Sequence, residues 1–156
     1  MKNAFFSKSD PADIPAFAGC IVRTEDGKIL CQLRDNKPEI RSPGLWTCTP
    51  GGHLRHGEAP RRAIRRELFE EFEIRVKNLK FLELVEEDPY HAGGKYYFFS
   101  GVLSSPEERT QCHEGQKAVF FSPVKALKLK QHPLSLRMLK ACLLRDNKSG
   151  KRTSLN

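Results

Sequence analysis

Residues 51 to 74, GGHLRHGEAPRRAIRRELFEEFEI, leave this chain few folds to choose from. Two glycines directly after Pro50 form a strong breaker. A helix is predicted from about Ala59 to Phe72, with Pro60 in the first turn, where a missing N–H costs nothing. Ile64, Leu68 and Phe72 line one stripe of that helix and are expected to pack on a sheet. Glu67, Glu70 and Glu71, at i, i+3 and i+4, converge on the adjoining face. A helix lying on a sheet with an acidic arc at its edge is the arrangement to look for.

Carboxylates so spaced repel, each pair costing a few tenths of a kcal/mol on an exposed helix. A hard divalent cation removes the conflict, since Mg²⁺ takes carboxylate oxygens and water in octahedral geometry. Ala63, one turn before Glu67, is read as a small residue leaving room for metal and phosphate. Arg61, Arg62 and Arg65 fall beyond the apolar stripe and are read as a solvated basic edge. Taken alone, the three glutamates also fit a plain acidic surface.

The rest of the chain reads as strands around that helix. Ala16 to Arg23 and Lys28 to Arg34 are apolar-rich runs joined through Gly27, a β-hairpin pattern. Residues 35 to 44 read as a polar loop and Leu45 to Thr49 as a short strand. Strands are predicted at Val76 to Glu86, Lys95 to Leu103 and Ala118 to Phe121, and an amphipathic helix at Leu134 to Arg145. Strands and helices in this order, without repeat or linker, give one α/β or α+β domain over residues 1–145, with a basic tail at 146–156.

Composition narrows the function classes. At 156 residues, 38% apolar and 29% charged, the chain suits one globular domain rather than a disordered segment. Its apolar runs are too short to span a bilayer, and residues 1–17 lack the apolar core of a secretory signal, so a cytoplasmic location is expected. Five scattered cysteines form no C-x-x-C pair and read as small reduced hydrophobes. The net charge of +8 suits a small polyanionic substrate, and no nucleic-acid-binding motif accompanies it.

Residues 52–74 resemble the Nudix box, G-x5-E-x7-R-E-U-x-E-E-x-G-U, where U is a bulky aliphatic residue. Gly52, Glu58, Arg66, Glu67, Leu68, Glu70, Glu71 and Ile74 match it. The six fixed matches arise by chance about once in 10⁵ chains of this length. Glu73 is the single departure, standing where the box has a glycine that ends the helix in a left-handed conformation. The resemblance covers residues 16 to 145 and implies a Nudix fold, an αβα sandwich around a mixed sheet.

It also implies roles. Glu67, Glu70 and Glu71 become ligands of Mg²⁺ (with Mn²⁺ as a substitute), helped by a backbone carbonyl of Gly51 or Gly52. Arg66 becomes the residue that orients a neighbouring glutamate. Glu58, out of phase with Glu67, becomes a loop or first-turn residue supporting Arg66 or an outer metal. His113-Glu114-Gly115-Gln116 resembles the Glu-Gly-Gln before the last strand of MutT-type enzymes, whose glutamate reaches the metal cluster. Glu114 is thus a fourth carboxylate or general base, or else a loop residue; failing it, Glu70 or Glu67 is the base.

The implied substrate is a nucleoside diphosphate linked to a moiety X, and the implied reaction is attack of water at phosphorus. Pro89 and Tyr90 resemble markers of ADP-ribose and dinucleoside-polyphosphate enzymes respectively, and cancel. Trp46, Tyr90, Tyr96 and Phe99 are aromatic candidates for stacking a base, Phe99 being read as core, and Arg34 is a candidate phosphate contact. Three alternatives stand beside hydrolysis of a small nucleotide. Trp46-Thr47 and Gly52-His53 resemble isopentenyl diphosphate isomerases, but Gly51 stands where those carry a cysteine, and Cys48 lies three residues early. A non-catalytic nucleotide-binding module is the second, although such modules lose box glutamates. Hydrolysis of RNA 5′ ends, prompted by the charge, is the third.

Overall fold

A computed structural model describes residues 15–86 and 94–148. Among these residues seven strands form one mixed sheet: β1 (Ala16–Arg23), β2 (Ile29–Leu33), β3 (Trp46–Thr47), β4 (Gly51–His53), β5 (Val76–Val85), β6 (Lys95–Leu103) and β7 (Lys117–Phe121). The path through it is β3-β2-β1-β6-β5, with β4 on β1 and β7 on β2. β1 pairs in parallel with β6 along its whole length, from Ala16 opposite Lys95 to Arg23 opposite Val102. Its other edge is shared by β4, opposite Phe17 to Gly19, and by β2, at Arg23 opposite Ile29. A central strand covered on both faces has to be apolar throughout, and Ala18 to Val22 are all buried.

Helices cover both faces. α1 (Pro60–Phe72) lays Ile64, Leu68 and Phe72 on one face, against Cys20, Val22, Leu30 and Phe99. Each of the three is fully buried, worth about 1.5–3 kcal/mol of apolar transfer apiece. α3 (Pro133–Lys148) covers the other face with Met138, Leu139, Cys142 and Leu143, joined by Ala126 of α2 (Pro123–Lys128). This is the αβα sandwich around a mixed sheet. No helix among the described residues is long and apolar enough to cross a membrane.

Several local expectations change. Gly51 and Gly52, expected as a breaker, form β4 because main-chain pairing with β1 needs no side chain. The helix α2 was missed, although Ser122 caps it and Pro123 occupies its first turn. Ala63 does not lie open beneath the glutamates; it is fully buried in the core under α1. Arg61 and Arg65 are not simply solvated, since each donates to a β5 carbonyl, Leu79 at 2.8 Å and Val76 at 2.9 Å. Helix α3 runs three residues past Arg145, and the buried Asp146 pairs there with Arg23 of β1. Residues 149–156 of the expected tail lie outside the described residues.

Candidate functional site

The acidic site forms where α1 passes over β4. A Cβ on Gly51 would drive into the Ala18 carbonyl of β1, and one on Gly52 would come within 2.5 Å of the Glu67 carboxylate. Glycine at both places lets β4 pair closely beside β1 under the helix while Glu67 drops onto the strand. The resemblance of residues 52–74 to the box implied that these residues lie near one another. Close backbone approach is what makes them glycines.

Arg66 organises one half of the site. Its Nε and Nη2 donate to the two oxygens of Glu58, both at 2.9 Å, and Nη2 also donates to the His53 carbonyl at 3.0 Å. Nη1 donates to Glu67 at 2.8 Å and to Glu70 at 3.1 Å. Glu58, in the loop before α1, also accepts from the Arg55 N–H at 3.0 Å. The two-pronged Arg66 contact holds the Glu58 carboxyl down at about 2, and the same carboxylates raise Arg66. Arg55 takes the second Glu70 oxygen at 3.2 Å, so Glu70 faces two guanidinium groups at a half-exposed position.

Glu71 forms the other half, and it is only 8% exposed. Burial, followed by the neighbouring carboxylates of Glu114 and Glu67, pushes its carboxyl up to about 10. Glu114 arrives from the loop before β7. In that loop the Gln111 N–H donates to the Phe72 carbonyl at 2.9 Å and the His113 N–H to the Glu71 carbonyl at 2.8 Å. Gln32 of β2 holds the Glu114 carbonyl from the other side at 2.6 Å.

The i, i+3, i+4 spacing is therefore only partly realised. Glu71 meets Glu114 and Glu67, whereas Glu70 turns to the arginines. Among the described residues, no three His, Cys, Asp or Glu side chains close on one point where an ion could sit. The donor chemistry nevertheless fits a hard divalent cation: a cation can replace the proton that holds a buried carboxyl beside two others, and oxygen is the ligand such ions take.

The other named residues are scattered. Trp46, on the outer strand β3, meets Phe121 edge-on at 5.2 Å and has Lys117 over its ring at 5.6 Å. Tyr96 stacks on Phe17 at 4.7 Å, and Phe17 in turn meets His53 of β4 at 4.1 Å. Arg34 donates to the Arg41 carbonyl at 2.8 Å, and the Arg41 guanidinium reaches the Tyr96 hydroxyl at 2.5 Å. Arg41 thus bridges two sequence candidates although no motif marked it. Phe99 is core, at 2% exposure, and Tyr90 lies outside the described residues. Cys48 is fully buried on the α3 side, its Sγ 3.5 Å from Cys31 Sγ, in the opposite layer from α1.

Comparison with known proteins agrees with this geometry. The family model described as the NUDIX domain matches residues 14–142. The chain belongs to the Nudix family. Similar solved structures include the solution structure of the E. coli ORF135 protein, with 25% identity, 87% of this chain and 92% of that one covered, and a TM-score of 0.66. The NUDIX domain of Shewanella oneidensis NrtR, solved with ADP ribose, shares 18% identity over 93% of this chain and 99% of its own, at a TM-score of 0.72. The MutT protein of Methanosarcina mazei Go1 shares 18% identity over 89% and 96%, at 0.66. By family this Nudix chain is a pyrophosphohydrolase, and Nudix hydrolases generally use divalent metal ions.

The Nudix box departure has a definite shape. Glu73 adopts φ 54° and ψ 34°, the left-handed cap a glycine would supply, and its N–H closes the helix on Phe69 at 2.9 Å. The exit from α1 is thereby that of a glycine-ended helix, reached by glutamate at about 1 kcal/mol. Its side chain also takes a partner that sequence reading missed, His113 Nε2 at 2.7 Å. Nothing local to 73 or 113 signals a contact between positions 40 residues apart.

Proposed function

We propose that this Nudix chain hydrolyses a nucleoside diphosphate linked to a further moiety X, with Mg²⁺, by attack of water at phosphorus. The observation carrying this reading is the contact of Glu71, buried and raised to about 10, with the Glu114 and Glu67 carboxylates. Glu67, Glu71 and Glu114 would hold the cation, with Glu70 joining once released from Arg55 and Arg66. When bound, the cation polarises the phosphoryl oxygens and lowers the pKa of water at the site. Glu114 takes the proton of the attacking water, because it is the carboxylate supplied by a loop rather than by the rigid helix. Arg66 keeps Glu67 oriented through the Glu58 fork. Arg41 and Arg34 lie on the side of Tyr96, where the nucleoside end of the substrate is placed. The ADP ribose bound by the NrtR domain supports a nucleotide of this general class.

The test is a panel of nucleoside triphosphates, nucleotide sugars, ADP-ribose and dinucleoside polyphosphates, with and without Mg²⁺, run in ¹⁸O-water. Turnover that needs the metal and places the label on a phosphorus product is expected. Absence of turnover across the panel, or conversion without label, overturns the reading.

A further inference from the structure

The loop carrying Glu114 is fastened to two elements that are distant in sequence. On the α1 side, the Gln111 and His113 N–H groups bind the Phe72 and Glu71 carbonyls, which the helix end leaves without helical partners. On the β2 side, the Gln116 N–H donates to the Leu33 carbonyl at 2.8 Å, and the Gln116 side chain to the Arg34 carbonyl at 2.9 Å. Gly115 between them has φ 88°, and a Cβ there would meet the Leu33 carbonyl at 2.7 Å. Besides the contact of Glu71 with Glu114, a side-chain pair joins the helix end to this loop: Glu73 to His113, at 2.7 Å.

We propose that Glu73 and His113 are positioning residues, a clamp that sets Glu114 against Glu71. This rests on the metal-dependent reading above for what Glu114 does, and on geometry alone for how it is held. Stability does not explain the pair. Both side chains are about half exposed, 50% for Glu73 and 54% for His113, and contacts so exposed add little to folding. A left-handed glutamate is also costlier than the glycine it replaces. His113 adjoins Glu114, and Glu73 lies two residues after Glu71, so a contact joining them fixes the separation of the two carboxylates. The glutamate at the box glycine position thus serves the site rather than the helix.

The deciding variant is Glu73→Gly. It relieves the backbone, so thermal stability should be unchanged or higher. Amide exchange at His113 and Gln116, followed in metal-free protein, should quicken, and Mg²⁺ should bind more weakly by calorimetry. With the best substrate, kcat should fall about tenfold, within what sub-ångström misplacement of a catalytic group costs. His113→Leu should have the same effect, with no further loss when combined with Glu73→Gly or placed on Glu114→Gln. Glu73→Gln, which can still bond the imidazole, should restore most of the rate. Wild-type amide exchange in both Glu73→Gly and His113→Leu overturns the clamp whatever the activity. Lack of metal-dependent turnover by the wild-type protein instead overturns the functional reading and leaves the exchange experiment to judge the clamp.

Discussion

Glu71→Gln should stabilise the metal-free protein at neutral and higher pH while abolishing its metal response. Glu71 is 8% exposed, and its carboxyl is pushed from the ordinary 4.5 to about 10, first by burial and then by Glu114 and Glu67. A folded-state pKa above the unfolded value means that the native protein binds the extra proton. Its stabilising effect is complete below pH 4.5 and is lost progressively as pH rises toward 10. At about 1.4 kcal/mol per pH unit, the loss reaches about 3 kcal/mol by pH 7. Glutamine keeps the shape, carries no titrating proton and can donate to the neighbouring carboxylates, so its stability should not show this decline. The assay is urea denaturation in EDTA from pH 5 to 9, read on the fluorescence of Trp46, the single tryptophan. Saturating Mg²⁺ should reverse the ranking, adding about 2.7 kcal/mol to wild type at 100 times Kd and far less to the variant. The variant's kcat should fall by orders of magnitude. Wild-type stability that holds steady or rises from pH 5 to 8 without metal, or a Glu71→Gln protein weaker than wild type at pH 8, would refute the reasoning.

Two further outcomes separate backbone from side-chain effects. Gly51→Ala meets the fixed Ala18 carbonyl and should lower stability by about 1–3 kcal/mol in denaturation. Gly52→Ala meets the movable end of Glu67, so stability should change by under about 1 kcal/mol while calorimetry shows weaker Mg²⁺ binding. Truncation after Arg145 removes buried Asp146 from Arg23 and should cost about 3–5 kcal/mol in denaturation.

Much of the site was legible because its signals are local. The Pro60 start, the Ile64, Leu68 and Phe72 stripe and the shared helix face of Glu67 and Glu71 follow from a repeat of 3.6 residues within one element. Glu58 was read as supporting either Arg66 or an outer metal, and the structure joins it to the Arg66 guanidinium through a fork at 2.9 Å. Ala63 was misplaced because a helical wheel gives direction and not depth: the residue lies under the acidic arc but inside the core. The extent of α3 was missed because the cue is Arg23, which lies 123 residues from Asp146.

The glutamates of α1 mark the limit between the two kinds of information. By itself, the sequence determined that a helix with an acidic face and a glycine pair before it would be present, since dihedral preferences and periodicity act over one or two turns. Only the tertiary structure decided which carboxylates meet. Arg55 and Arg66 draw Glu70 aside, and the loop between α1 and the Leu33 end of β2 brings Glu114 to Glu71. Electrostatic attraction and burial act through space, and the partners they select need not be near in the chain.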